Sequence, residues 1–239
     1  MRMSYYGINN THEYKKVLED RPEEWNIFLK SLAVNVSEFF RNREVFDFFS
    51  QNCLPKIIED KIKNKKKIIK FWSAGCSCGE EAYSLAILLK EVIKDKNILL
   101  RVYATDMDED ALKIANQAEY FLSSLKKVNS RFLEEYFIDS SNGKKKVKDE
   151  IRKIVIFKQH NLFSHPPLKG IDAIFCRNVR IYFDSRSSEN VLLNIYNSLN
   201  DGGYIVIGKA EILPYSLRKL FFTVSSEYKI FQKVSIEGR

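Results

Sequence analysis

Three observations predict an α/β fold built on a doubly wound, mostly parallel sheet. Beyond residue 67, short apolar runs alternate with longer helical patterns, the order expected of parallel strands joined by right-handed crossovers. Polar residues collect where those runs end, which is where open parallel sheets hold their ligands. The first run also breaks into a loop of small residues, Ser73-Ala74-Gly75-Cys76-Ser77-Cys78-Gly79-Glu80-Glu81, and a long apolar helix pattern follows at once.

The elements follow in order. Residues 12–52 read as helical, because Tyr14, Val17, Leu18, Trp25, Phe28, Leu29, Leu32 and Val36 recur at spacings of three and four. Pro22 with Glu23 and Glu24 marks a helix entrance. A second stripe, Phe39, Phe40, Val45, Phe46, Phe48 and Phe49, runs on to Leu54-Pro55. With no strand between them, these helices predict a small N-terminal helical domain over 1–52 and an α/β domain over 53–239. Within the latter, Ile68–Trp72 is the first strand and Glu80–Ile93 its helix. Ile98–Ala104 is the second strand, ending at Thr105-Asp106, and Asp108-Glu109-Asp110 opens the next helix. Ile154–Phe157 and Ile171–Cys176 are the third and fourth strands. Glu189–Leu199 is a helix and Tyr204–Ile207 the fifth strand. Leu220–Val224 and Tyr228–Val234 read as a hairpin at the sheet edge. The exception is 120–153, where Asn142-Gly143, a strong hairpin turn pair, predicts a small antiparallel β insertion.

Composition narrows the class. Hydrophobic residues make up 45% of the 239, too many for a disordered chain. The net charge of +8 favours acidic partners over basic ones. Its two Lys clusters, 61–70 and 144–158, lack the aromatic platforms of a nucleic-acid site and read as solvated surface. The four cysteines form no CxxC pair and the three histidines are not at ligand spacing, so neither disulfides nor a metal are expected. The polar N-terminus gives no signal peptide, and no apolar run approaches the ~20 residues that span a bilayer. A cytoplasmic protein is expected.

The loop after the first strand has the geometry of a nucleotide site, yet its helix opens with two carboxylates that would repel a phosphate. A neutral or cationic ligand with hydroxyl and amine groups, such as S-adenosylmethionine, fits better. Ser77-x-x-Glu80 matches a capping box, which assigns Glu80 to the cap and leaves Glu81 for the ligand. Asp106 ends the second strand, where an acid accepts hydrogen bonds from ribose hydroxyls; Asp108 is placed to cap the next helix and so frees it. Arg177 follows a buried strand and calls for a carboxylate partner, while Asn178 can donate and accept at once.

Five ordered stretches then resemble the CheR family of chemotaxis receptor methyltransferases: Asn35-Val36-Ser37-Glu38-Phe39-Phe40-Arg41-Asn42, Gly75 to Ser84, Ala104-Thr105-Asp106-Met107-Asp108, His160-Asn161-Leu162, and Phe175-Cys176-Arg177-Asn178-Val179-Arg180-Ile181-Tyr182-Phe183-Asp184. The similarity runs from about residue 20 to the C-terminus. It implies a class I, Rossmann-like methyltransferase sheet, S-adenosylmethionine as cofactor with S-adenosylhomocysteine as product, and glutamate side chains of chemoreceptor helical bundles as substrate. Carried over position by position, Asn35, Ser37 and Arg41 close over the cofactor, and Gly75, Glu81, Asp106, Asn161, Leu162, Arg177 and Asn178 line its pocket. Arg41 and Tyr182 lie near the transferring methyl.

The resemblance further implies a monomer, and a β insertion that in some members grips a receptor tail peptide. The rival expectations are a methyltransferase of the same fold with another protein or a small molecule as substrate, and a non-catalytic S-adenosylmethionine-binding regulator. Ser37 replaces the family's usual threonine, Cys78 a threonine, Ala82 a proline, and Lys209 a common histidine. Family members usually carry a longer N-terminal helical domain, of which this sequence holds only part.

Overall fold

The computed structural model describes residues 2–21, 24, 28, 37–93, 97–165, 167–179 and 184–234. They fall into two compact units, Met1–Val36 and Ser37–Arg239. In the first, α1 (Arg2–Tyr5) precedes α2 (Thr11–Asp20), whose N-cap Asn10 accepts a hydrogen bond from the Glu13 N–H. The Tyr6 and Tyr14 hydroxyls both donate to the carboxylate of Glu24, which is buried. Of the second half of the predicted helical stripe, only Phe28 lies among the described residues.

Segment 37–52, expected with the helical domain, belongs instead to the larger unit. The cause is aromatic packing. Helix α3 (Arg43–Asn52) turns Phe46 and Phe49 onto the sheet, where the Phe49 ring meets Phe71 and Phe175 at centroid distances of 5.7 and 5.2 Å. Phe39, Phe46 and Phe49 are each at most 1% exposed. Burying one such side chain contributes about 2–3 kcal/mol, so α3 cannot leave the sheet cheaply. Helix α4 (Leu54–Lys63) follows, with Pro55 in its first turn.

The remaining strands and helices are β1 (Ile68–Ala74), α5 (Glu80–Val92), β2 (Leu99–Asp106), α6 (Glu109–Gln117), β3 (Glu119–Phe121), α7 (Ser130–Tyr136), β4 (Phe137–Asp139), β5 (Lys144–Val147), α8 (Asp149–Arg152), β6 (Val155–Gln159), β7 (Ile171–Cys176), α9 (Ser185–Ser198), β8 (Leu199–Ile207), β9 (Phe221–Ser225) and β10 (Ile230–Lys233). Seven strands form one sheet in the order β6-β2-β1-β7-β8-β10-β9. The first five run parallel; β10 runs against them, and β9, antiparallel to β10 at the edge, points the same way as the five. This is a doubly wound, Rossmann-like fold. Strand order reverses between β1 and β7, which opens a crevice at their carboxyl ends. Phe71 and Trp72, neighbours on β1, belong to the two separate hydrophobic clusters on opposite faces of the sheet.

Between α6 and β6 lies a second sheet of three antiparallel strands, ordered β3-β5-β4. Asn142 and Gly143 turn β4 into β5 with both φ angles positive, 57° and 69°, as a tight hairpin turn demands. The small sheet and the sheet core grip segment 37–43 from two sides. On one side the Phe39 N–H donates to the Ser124 carbonyl at 3.1 Å, its ring meets Tyr120 and Phe137, and Lys127 pairs with Glu38. On the other the Phe40 N–H donates to Ser84 Oγ at 2.9 Å.

The lysine clusters are less free than the sequence suggests. Lys61 is 4% exposed and pairs with buried Asp172 at 2.6 Å, at the amino end of β7. Lys145 and Lys146 pair with Asp139 and Glu119. Among the described residues no helix is long and apolar enough to cross a membrane.

Candidate functional site

The loop after β1 lies at the crevice. Gly75 has φ +80°, and its N–H donates to the Thr105 carbonyl of β2 at 2.8 Å. A Cβ there would stand 2.3 Å from Val179 Cγ2, so only glycine lets the loop pass under the chain that leaves β7. The loop then closes on β2 a second time. Asp106 Oδ2 accepts from the Ser77 N–H at 2.8 Å, and its Oδ1 accepts from the Asp108 N–H at 3.0 Å. Asp108 caps α6 by accepting from Asp110 and Ala111. Asp106 is therefore relieved of capping, as expected, but it is engaged in holding the loop at the carboxyl end of β2. Each carboxylate oxygen keeps lone-pair capacity for a ligand donor.

The capping box is absent. The N-cap of α5 is Gly79, at φ +93° with no side-chain cap. Asp106 has taken the Ser77 N–H, and Ser77 itself is turned to φ +49°, which breaks the reciprocal geometry. The Glu80 side chain is buried and bonds the Ser37 hydroxyl; its Oε2 has no partner among the described residues. Burial raises its carboxyl above the ordinary range, against the Ser37 bond.

Glu81 is not free either. Ser73 Oγ donates to its Oε1 at 2.7 Å, and Arg177 Nη1 to its Oε2 at 3.3 Å. Burial raises this carboxyl too, opposed by the charges of Arg177 and Arg41 and by the Ser73 bond. Arg177 is 7% exposed and does more than pair. Its Nη2 donates to the Arg41 carbonyl at 2.9 Å and to Asn42 Oδ1 at 2.7 Å, and the guanidinium lies over the Phe46 ring. It thus anchors segment 41–42 to the end of β7.

The pocket residues expected from the sequence are placed as follows. Arg41, Glu81 and Arg177 share one network, Ser37 bonds Glu80 beside it, and Gly75 and Asp106 hold the loop against β2. Asn178, at φ +61°, and Asn161-Leu162 stand at the carboxyl ends of β7 and β6. Asn35 and Tyr182 lie outside the described residues. Sequence reasoning missed Ser73, Ser84 and Asn42, which hold Glu81, Phe40 and Arg177. Asn42 sits at φ +59° directly before a helix, a conformation that asparagine tolerates well but that its sequence neighbours do not announce.

Negative charge converges on the loop. Burial and then the carboxylates of Asp106, Glu81 and Glu80 push the Cys76 thiol well above its ordinary range. Such surroundings disfavour a phosphate and suit a ligand that carries hydroxyls and positive charge.

A family model described as "CheR methyltransferase, SAM binding domain" matches residues 35–230. The chemotaxis protein methyltransferase of Borreliella burgdorferi is 33% identical over 230 residues, covering 93% of this chain and 81% of that protein. Its counterpart in Listeria innocua is 33% identical over 184 residues, covering 77% and 68%. That of Salmonella typhimurium is 31% identical over 229 residues, covering 91% and 76%.

Proposed function

The chain belongs to the CheR methyltransferase family, and on that premise we propose that it methylates glutamate side chains on the cytoplasmic domains of chemoreceptors. S-Adenosylmethionine is the cofactor of this family's domain, and the observation that carries the reading is the convergence of Asp106, Glu81 and Glu80 on the loop after β1. Asp106 suits the ribose hydroxyls. The unpartnered Glu80 Oε2 shows that the loop region has acceptor capacity to spare, and an amine- and sulfonium-bearing ligand matches that excess of acids.

When bound, the cofactor supplies an electrophilic methyl group on a sulfonium sulfur. A glutamate side chain is already ionised near neutral pH, so its oxygen can form the new O–CH3 bond as the CH3–S bond breaks, with no general base. What remains for the chain is to orient and to exclude water. Arg41, whose backbone is fixed by Arg177, supplies positive charge at the crevice for an incoming carboxylate. Too tight a pair would stabilise the ground state as much as the transition state, so an arginine shared with neighbouring Glu81 suits the task. Tyr182 is assigned to the same place through the family pattern. The protein acts in the cytoplasm as a monomer on receptor helical bundles, with the small β sheet as a second contact for a receptor tail peptide.

The test is direct. Incubation with radiolabelled S-adenosylmethionine and receptor-containing membranes should put alkali-labile label on the receptor. Absence of a base-labile methyl ester, with cofactor binding demonstrated, would overturn the glutamate assignment.

A further inference from the structure

Strand β6 ends at Gln159, and the chain then turns across the carboxyl end of the sheet beside Asp106. The turn is held at both sides. The His160 N–H donates to the Asp106 carbonyl at 2.9 Å, and its ring, 5% exposed, stands edge-on to Trp72 at a centroid distance of 5.5 Å. Leu162 is 9% exposed in the cluster of Trp72 and Ala74, and its carbonyl accepts from Asn194 Nδ2 at 3.4 Å. Between these fixed points stands Asn161. Its Oδ1 accepts from the Phe163 N–H at 2.9 Å, which leaves the Nδ2 donors for a ligand.

His165 closes the turn with two reciprocal bonds. Its own N–H donates to the Asn161 carbonyl at 3.0 Å, and its Nδ1 accepts from the Asn161 N–H at 3.0 Å. The second bond requires a lone pair on Nδ1, so the ring proton sits on Nε2; a ring protonated at Nδ1 would set two donors against each other. Beside it, 5.3 Å away, stands the His160 ring. Burial first, then His165 and Lys158, lower the His160 imidazole below its ordinary range.

We propose that His165 is a positioning residue for the cofactor, its Nδ1 serving as the acceptor that fixes the Asn161 backbone and so aims the Asn161 amide into the crevice. The inference rests on the pocket assigned above. It gives a task to a side chain on the rim that touches no ligand, and it demands an acceptor at that position rather than a histidine as such. Asparagine meets that demand, because its Oδ1 occupies the place of Nδ1 on a side chain of the same reach.

Calorimetry with S-adenosylhomocysteine on the full chain tests it, using wild type, His165→Ala, His165→Asn and Asp106→Ala. His165→Ala should bind about three- to tenfold more weakly, the usual worth of one hydrogen bond, and His165→Asn should recover most of that loss. Nitrogen NMR should show His165 Nδ1 unprotonated and Nε2 carrying the proton. Full affinity in His165→Ala while Asp106→Ala binds weakly would overturn the positioning role and leave the pocket standing. Unchanged binding in both would overturn the pocket itself. Equal losses in His165→Ala and His165→Asn, or a proton on Nδ1, would overturn the acceptor role.

Discussion

Arg177 holds Arg41 by its backbone: Nη2 donates to the Arg41 carbonyl at 2.9 Å. The buried arginine thereby fixes where the more exposed one begins, while its Nη1 reaches Glu81. One guanidinium joins the end of β7, the first turn of α5 and the segment that enters α3.

Arg177→Ala should therefore cost stability as well as turnover. It leaves a largely buried Glu81 without its cation, and breaking a buried pair costs about 3–5 kcal/mol. Urea unfolding at neutral pH reads this. A variant as stable as wild type would show that the anchor carries no weight.

Asp106→Ala should weaken S-adenosylhomocysteine binding by about 1–3 kcal/mol, the range for losing a charged hydrogen-bonding group. It also frees the Ser77 and Asp108 N–H groups, so proteolysis within the loop should quicken. Unchanged affinity by calorimetry would misplace the ribose.

At Gly75 two penalties combine. Alanine would take a φ of +80° and put its Cβ 2.3 Å from Val179 Cγ2. The left-handed backbone alone costs about 1 kcal/mol. Gly75→Ala should lose cofactor binding, and adding Val179→Ala should return part of it, because only the clash is relieved. Full recovery in the double variant would mean that the backbone conformation is indifferent.

Glu80 gives a pH prediction. Its folded carboxyl is raised above the ordinary value of 4.5 by burial, so the folded state holds this proton more tightly than the unfolded state does. That contribution is complete below 4.5 and is lost as pH rises through the raised value. Glu80→Gln has no proton to lose. Its stability relative to wild type should thus improve as pH rises above 4.5, as measured by urea unfolding at each pH. A difference that stays constant would mean that Glu80 titrates alike in both states.

Lys61 and Asp172 provide the converse case. The pair is buried at the amino end of β7, where Asp172 also accepts from the Lys70 N–H and from Asn200. Lys61→Ala should cost about 3–5 kcal/mol of stability without altering cofactor affinity. A change in affinity at temperatures where the variant is folded would contradict that separation.

The alternation of strands and helices was legible because period and length are local properties. Ile171–Cys176 matches its predicted bounds, and the Asn142-Gly143 turn was readable from backbone preference alone. The edge of the helical domain was not legible. Phe39 to Phe49 read as one helical stripe, but the helix begins only at Arg43 and Phe40 stands before it at φ +52°. Only the tertiary structure shows that Phe46 and Phe49 cover the sheet and that Phe39 turns to the insertion. Side-chain roles followed the same rule. Asp108 as a cap depends on its own helix and was readable. Glu80 and Glu81 depend on Ser37 and Arg177, far away in sequence, and spacing assigned them to a cap and a free contact instead.

Segment 37–43 has a consequence for protein engineering. Because one flank is fastened to the small β sheet through Ser124 and Lys127 and the other to Ser84 and Arg177, the insertion is not a detachable module. A chimaera that imports a relative's small sheet must import its matching 37–43 strip too. Otherwise the transplanted sheet would drag Arg41 out of register with the crevice that it serves.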